Sequence, residues 1–126
     1  MRRLWLGCAV VVACVAITPA MASARTFQSH VFFDAFRCEG GPGTEQCIAF
    51  GHVTSPHAKC KPNRKVKLFR DGDFVGSDRT SAHGFWGVRF PGVDGSYRAR
   101  VTRRVLRNGD VCRSAVSEPV NITFNV

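Results

Sequence analysis

Four shortages bound this 126-residue chain before any motif is sought. No helical periodicity follows the first 24 residues: apolar positions do not recur at the i, i+3, i+4 spacing, which excludes bundles and coiled coils. There is no internal repeat, which excludes solenoids and propellers. Acid is scarce, with nine Asp plus Glu against eighteen Lys plus Arg. Those acids fall mostly at turn positions, where they serve turn geometry rather than paired-carboxylate hydrolysis. Catalytic signatures are missing as well. No G-x-S-x-G nucleophile elbow occurs, so His83, Asp78 and a serine do not make a triad. Asp71-Gly72-Asp73 starts like a calcium loop, but the full spacing with its later Glu is absent. His83 precedes Gly84 and reads as a turn residue rather than a general base. The sequence therefore names no enzyme activity, no cofactor and no resident metal.

The N-terminus has a definite form. Met1-Arg2-Arg3 supplies two positive charges, residues 4–17 are an uncharged apolar run, and Pro19 interrupts it. Ala22 and Ala24 follow in an A-x-A arrangement. This is the three-part layout of a secretory signal peptide, with cleavage expected after Ala24. The apolar run is short for a bilayer span, which needs about 20 residues. The expectation is a leader over 1–24, one domain over 25–126, no membrane span and an extracellular destination. A variant is a lipid-anchored protein, because "VVAC" ending at Cys14 resembles a bacterial lipobox, although the residues after it are apolar. Fourteen of the eighteen cationic residues are Arg, a skew common in GC-rich bacteria.

Removing the leader leaves sixteen Lys plus Arg against nine Asp plus Glu, a net of +7, and four cysteines. An even cysteine count in an exported chain points to disulfides. Of three possible connectivities, Cys38 with Cys47 and Cys60 with Cys112 is favoured. The first closes the Gly-rich loop 39–46; the second ties distant strands. By loop entropy they would contribute about 2.6 and about 4 kcal/mol. A competing reading takes Cys47, His52, His57 and Cys60 as a zinc set, though their spacing is not a common finger pattern.

Short alternating runs separated by Gly, Pro, Asn and Asp predict an all-β protein, a two-sheet sandwich of about seven strands. Val31, Phe33 and Ala35 are expected inward, as are Ile48 and Phe50, with a bulge at Gly51. Val66 and Leu68, then Trp86, Val88 and Phe90, then Tyr97, Ala99 and Val101, and finally Val120, Ile122 and Phe124 make the other inward sets. Turns are expected at Asp71-Gly72, His83-Gly84, 91–96 and Asn108-Gly109.

The segment "YRARVTRRVLR", residues 97–107, holds five arginines. Arg98 and Arg100 alternate with the inward set, so they belong to an outer sheet face. Alternation fails at Arg103-Arg104, where the strand should end, and Arg107 lies in the turn. The bland reading is a solvated face. The functional one is an anion-binding site of Arg98, Arg100, Arg103, Arg104 and Arg107, aided by Lys65, Lys67, Arg89 and Arg113 if their strands share that sheet. Its partner would be an anionic polysaccharide or another cell-envelope component. Export argues against intracellular nucleic acid, and the patch shows no interleaved aromatics for base stacking.

Residues 60–101 carry a resemblance. "CKPNRKVKLFR", "GSDRTSAHGFWGVRF" and "DGSYRARV" resemble the bacterial carboxypeptidase regulatory-like and transthyretin-like group of Ig-like β-sandwiches. Val66 and Leu68 match its V-x-L strand. Thr80, Gly84 and Trp86 fit its hairpin, with Ser81 where Asp is usual, and Gly95, Tyr97, Ala99 and Val101 match its closing strand. The likeness covers about 40 mature residues and leaves 25–59 outside. It implies a Tyr97 that plugs the sandwich corner with its hydroxyl on a backbone carbonyl. A Cys112 paired with Cys60 resembles secreted members of the group. Such domains act as accessory or scaffold modules, so the resemblance implies a non-catalytic secreted binding or structural role. The alternative is a small secreted enzyme, or an enzyme inhibitor, working through the disulfide-pinned loop 39–46.

Overall fold

The structure, a computed structural model, describes residues 11–14 and 23–124. The expected leader falls largely on residues 1–10 and 15–22, outside the described residues; Cys14 is described, exposed and unpaired. Among the described residues no helix is long and apolar enough to cross a membrane.

The chain is all-β. Strand β1 (Thr26–Phe27) is followed by β2 (His30–Glu39), β3 (Gln46–Thr54), a 3-10 turn at Ala58–Cys60, β4 (Lys65–Arg70), β5 (Asp73–Arg79) and β6 (Phe85–Pro91). Then come β7 (Gly95–Val101), β8 (Arg104–Val105), β9 (Val111–Cys112), β10 (Ala115–Val116) and β11 (Val120–Ile122). One layer has the order β2-β3-β6. The facing layer has the order β10-β7-β4-β5, with β11 also pairing on β7. A small third sheet, β1-β9-β8, lies outside the predicted two-layer plan and accounts for three of the four strands beyond the expected seven; the fourth lies within the β10-β7-β4-β5 layer with β11.

The core lies between the two layers and follows period-2 alternation on most strands. Val66 and Leu68 of β4, Trp86, Val88 and Phe90 of β6, Tyr97, Ala99 and Val101 of β7, and Ile122 of β11 are all buried in one cluster. Asp71 and Gly72 form the two-residue turn between β4 and β5, with φ of 48° and 88°. Two successive positive φ values are what an I′ hairpin turn needs, and Asp-Gly supplies them.

Strand β3 corrects the sequence reading. Cys47, Ala49, Gly51 and Val53 face the core, while Ile48 and Phe50 face outward. The physical reason is room. A Cβ at Gly51 would stand 1.8 Å from the Phe32 carbonyl oxygen and 2.4 Å from the Trp86 ring. Only glycine fits beneath that indole, and this sets the parity of the strand. The bulge is not at Gly51 but opposite it: the β2–β3 register jumps between Phe33 and Ala35. Asp34 is the extra residue, and it turns Ala35 outward instead of inward.

The two disulfides join Cys38 to Cys47 and Cys60 to Cys112. The first bridges directly opposed residues of β2 and β3. The second fastens the 3-10 turn to β9. With both thiols committed to different bridges, Cys47 and Cys60 do not form a zinc set with His52 and His57.

Arg64, absent from the predicted core, is fully buried. Its Nη1 donates to Ser29 Oγ at 2.9 Å and to the Cys60 carbonyl at 2.8 Å. Its Nη2 donates to the carbonyls of Thr102 at 2.8 Å and Arg113 at 2.9 Å. Burial, and then the charge of Arg104, lower its pKa to about 10, so it stays cationic at neutral pH. One guanidinium thus gathers four chain segments around the Cys60–Cys112 bridge. Tyr97 plugs the opposite region: it is fully buried and its hydroxyl donates to the Val93 carbonyl.

Candidate functional site

Register assembles the outer face of the β10-β7-β4-β5 layer. Lys65 opposes Arg79, and Lys67 is flanked by Ser77 and Arg100. Phe69 is flanked by Phe74 and Arg98, and Arg100 by Val116. Alternation points all of these side chains away from the core, because Val66, Leu68, Ala99 and Val101 occupy the inner positions. Five cations, Lys65, Lys67, Arg79, Arg98 and Arg100, therefore share one face.

Among the described residues none of these five cations pairs with a carboxylate. Among the described residues, the only carboxylates within 4.0 Å of a basic side chain pair with histidines, His52–Asp34 and His57–Asp110. Lys65–Arg79 and Lys67–Arg100 are like-charge pairs placed directly opposite each other, an arrangement that is destabilising.

The face is not purely polar. Phe69 and Phe74 meet edge to face at 6.0 Å between ring centroids. Phe74 is 58% exposed and Val116 is 56% exposed. An open pocket of about 330 Å³ is lined by Phe69, Ser96, Arg98, Arg100 and Val116 together with the Asp71-Gly72 turn. This corrects the expectation that the patch lacks interleaved aromatics. They come from neighbouring strands, which a linear reading of residues 97–107 does not display.

The predicted arginine set is divided. Arg98 and Arg100 lie on this face. Arg103 is exposed in the link between β7 and β8. Arg104 sits on β8 in the third sheet, where its Nη1 donates to the Pro62 and Asn63 carbonyls, both at 3.0 Å. Arg104 is thus spent on tying a turn. Arg107 is exposed in the β8–β9 turn. Lys65 and Lys67 do share the sheet with Arg98 and Arg100. Arg89 does not, since it lies on β6 opposite Ile48, and Arg113 lies between β9 and β10, with its backbone N–H donating to the Phe27 carbonyl.

The outer face of the other layer is chemically different. Across its three strands run the rows Phe32–His52–Phe85, Ala35–Phe50–Gly87 and Arg37–Ile48–Arg89. Phe32 and His52 stack at 4.7 Å, and His52 Nδ1 lies 2.6 Å from Asp34 Oδ2. Phe85 is 60% exposed. An open pocket of about 290 Å³ lies beside Arg37, Ile48 and Arg89.

Loop 39–46 projects beyond the Cys38–Cys47 bridge, with Gly40 and Gly43 at positive φ and residues 40–44 exposed. His83 is exposed in its turn, and Trp86 is buried in the core. Among the described residues no group of three or more metal-ligating side chains comes together.

No family model, no curated protein and no solved structure matches the chain.

Proposed function

We propose that this chain is an exported, non-catalytic binding module whose β10-β7-β4-β5 face grips an anionic extracellular or cell-envelope polymer. The observation that carries the reading is the two like-charge cross-strand pairings, Lys65–Arg79 and Lys67–Arg100, beside Arg98, with no carboxylate within 4.0 Å of these bases among the described residues. Selection for stability alone would place acids opposite those bases. A polyanion laid across the strands offsets the repulsion instead, and its counterions are released on binding. Phe69, Phe74 and Val116 give the same face apolar contact between the charges. Two disulfides suit an oxidising compartment.

The strand order supports kinship with Ig-like, transthyretin-like sandwiches. Sheet β2-β3-β6 faces sheet β5-β4-β7-β10, and Tyr97 bonds back to a carbonyl four residues upstream. In such sandwiches a tyrosine corner has that form. A second reading, an inhibitor that presents residues 40–45, is favoured by one feature: the Cys38–Cys47 bridge fixes the base of that exposed loop.

The test of the main reading is binding of the exported protein to dextran sulfate across a salt series. Five cationic contacts predict a loss on the order of 10²-fold in affinity between 50 and 200 mM salt. Arg98→Ser with Arg100→Ser should weaken binding at least tenfold at low salt, whereas Arg37→Ser with Arg89→Ser on the opposite layer should change it far less. Equal losses from both pairs would reduce the interaction to net charge and refute a dedicated face.

A further inference from the structure

Asp110 is unusually well prepared to receive a cation. Its Oδ1 accepts the backbone N–H of Arg25 at 3.0 Å. Its Oδ2 accepts Asn108 Nδ2 at 2.9 Å, and its own N–H donates to Asn108 Oδ1 at 3.0 Å. His57 Nε2 stands 3.7 Å from Oδ2. The other nitrogen of that ring accepts the Lys59 N–H, so the neutral ring carries its proton on Nε2, towards the carboxylate. Phe27 packs edge-on against the His57 ring at 4.5 Å.

Arg25 is fixed from its other side too. Its carbonyl accepts the Val111 N–H at 2.8 Å, and Thr26 and Phe27 run parallel to Val111 and Cys112. The atom facing Asp110 is therefore the Arg25 nitrogen itself, held in place by the third sheet. The A-x-A pattern puts the cleavable bond at that same nitrogen.

We infer that the open pocket lined by Ser23, Arg25, Phe27, His57, Asn108 and Asp110 is a binding site for the chain's own α-ammonium group, created when the Ala24–Arg25 peptide bond is hydrolysed. The inference rests on the export reading above. Water adds across the C–N bond: Ala24 leaves with the new carboxylate, and the Arg25 amine takes up a proton at neutral pH. The amide hydrogen bond to Asp110 then becomes a charge-assisted ion pair, the stronger kind. Processing thereby locks β1 onto β9, next to the Cys60–Cys112 bridge.

The titratable and charged groups facing this site are Asp110, His57 and the Arg25 side chain. The Arg25 N–H first, then the Asn108 side chain, with His57 and Arg25 nearby, hold the Asp110 carboxyl below the usual carboxylate range against desolvation. A depressed carboxyl contributes stability that is present above its unfolded pKa of about 3.9 and lost as pH falls through the folded value. The paired ammonium works the other way. Its contribution is full below the unfolded α-amino value of about 7.7–8.0 and lost as pH rises through the raised folded value.

The full 126-residue chain, expressed in an exporting bacterial host and recovered outside the cytoplasm, provides the test. Mass spectrometry should find Arg25 at the N-terminus. NMR titration of the α-amino group should give a pKa about one unit above the ordinary 7.7–8.0, a tenfold preference for the charged form. In Asp110→Asn it should return to the ordinary range. An Arg25 terminus with an ordinary α-amino pKa in the unsubstituted protein overturns the ion pair, whether or not the variant folds. A raised value that persists in Asp110→Asn overturns the role of that carboxylate. A recovered chain beginning elsewhere overturns the cleavage reading and the ligand with it.

Discussion

The two outer faces of this sandwich are built on the same pleat yet carry opposite chemistry. Over β10-β7-β4-β5 the outward positions hold Lys65, Lys67, Arg79, Arg98 and Arg100, with Phe69 and Phe74 between them. Over β2-β3-β6 they hold Phe32, Phe50, Phe85, Ile48 and His52, with arginines only at one end. On the first face the core residues are large and the alternation is plain. On the second the core positions of β3 are small, and the larger apolar side chains lie outside. Size therefore did not decide which side of β3 is buried; the space beneath Trp86 did.

Two glycines on neighbouring strands measure that space. Gly51 faces the core with its Cα hydrogen against Phe32 and Trp86, whereas Gly87 faces outward with its nearest neighbours, the tips of Ile48 and Phe50, at 3.5 and 3.7 Å from an added Cβ. Gly51→Ala should have the largest effect, a loss of at least about 3 kcal/mol, because backbone and indole must both move. Gly87→Ala should stay within about 1 kcal/mol. Denaturant unfolding of the two variants gives the comparison directly. Similar midpoints for the pair would mean that Ile48 and Phe50, not Ala49 and Gly51, belong inside.

A smaller effect is expected on the cationic face. Lys67→Glu places an acid directly opposite Arg100. Relief of the like-charge contact should raise stability by roughly 0.2–1 kcal/mol. The same substitution should lower polyanion affinity, so stability and binding move in opposite directions. A variant that gains neither stability nor loses affinity would show that the Lys67–Arg100 contact is already screened by solvent.

Much of the fold was legible because three of the strands, β4, β6 and β7, alternate plainly over their core positions. Val66 and Leu68, Trp86 to Phe90, and Tyr97 to Val101 are inward as the pattern requires, and Asp71-Gly72 turns the chain as its two residues demand. The cysteine spacing also led to the observed bridges. Strand β3 was misread because Ile48 and Phe50 outrank Ala49 and Gly51 in hydrophobicity, while the bulge at Asp34 is a property of two strands together. Arg64 was missed although it shares the parity of Val66 and Leu68. Its charge argued against burial, and three of the four acceptors that solvate it come from distant segments. The cationic face was half legible for a similar reason. Arg98 and Arg100 declare themselves along one strand, but Lys65, Lys67, Arg79, Phe69 and Phe74 join them only through register. Sequence proximity also drew in Arg103, Arg104 and Arg107, which the end of β7 carries elsewhere.

The claim that the two faces divide the work is tested most directly by titrating the isotope-labelled protein with dextran sulfate and following backbone amide shifts. The account predicts perturbations centred on residues 65–69, 74–79 and 98–100, with β2, β3 and β6 nearly unchanged. Perturbations centred on Phe32, Phe50 and Phe85, or on the loop 40–45, would contradict it.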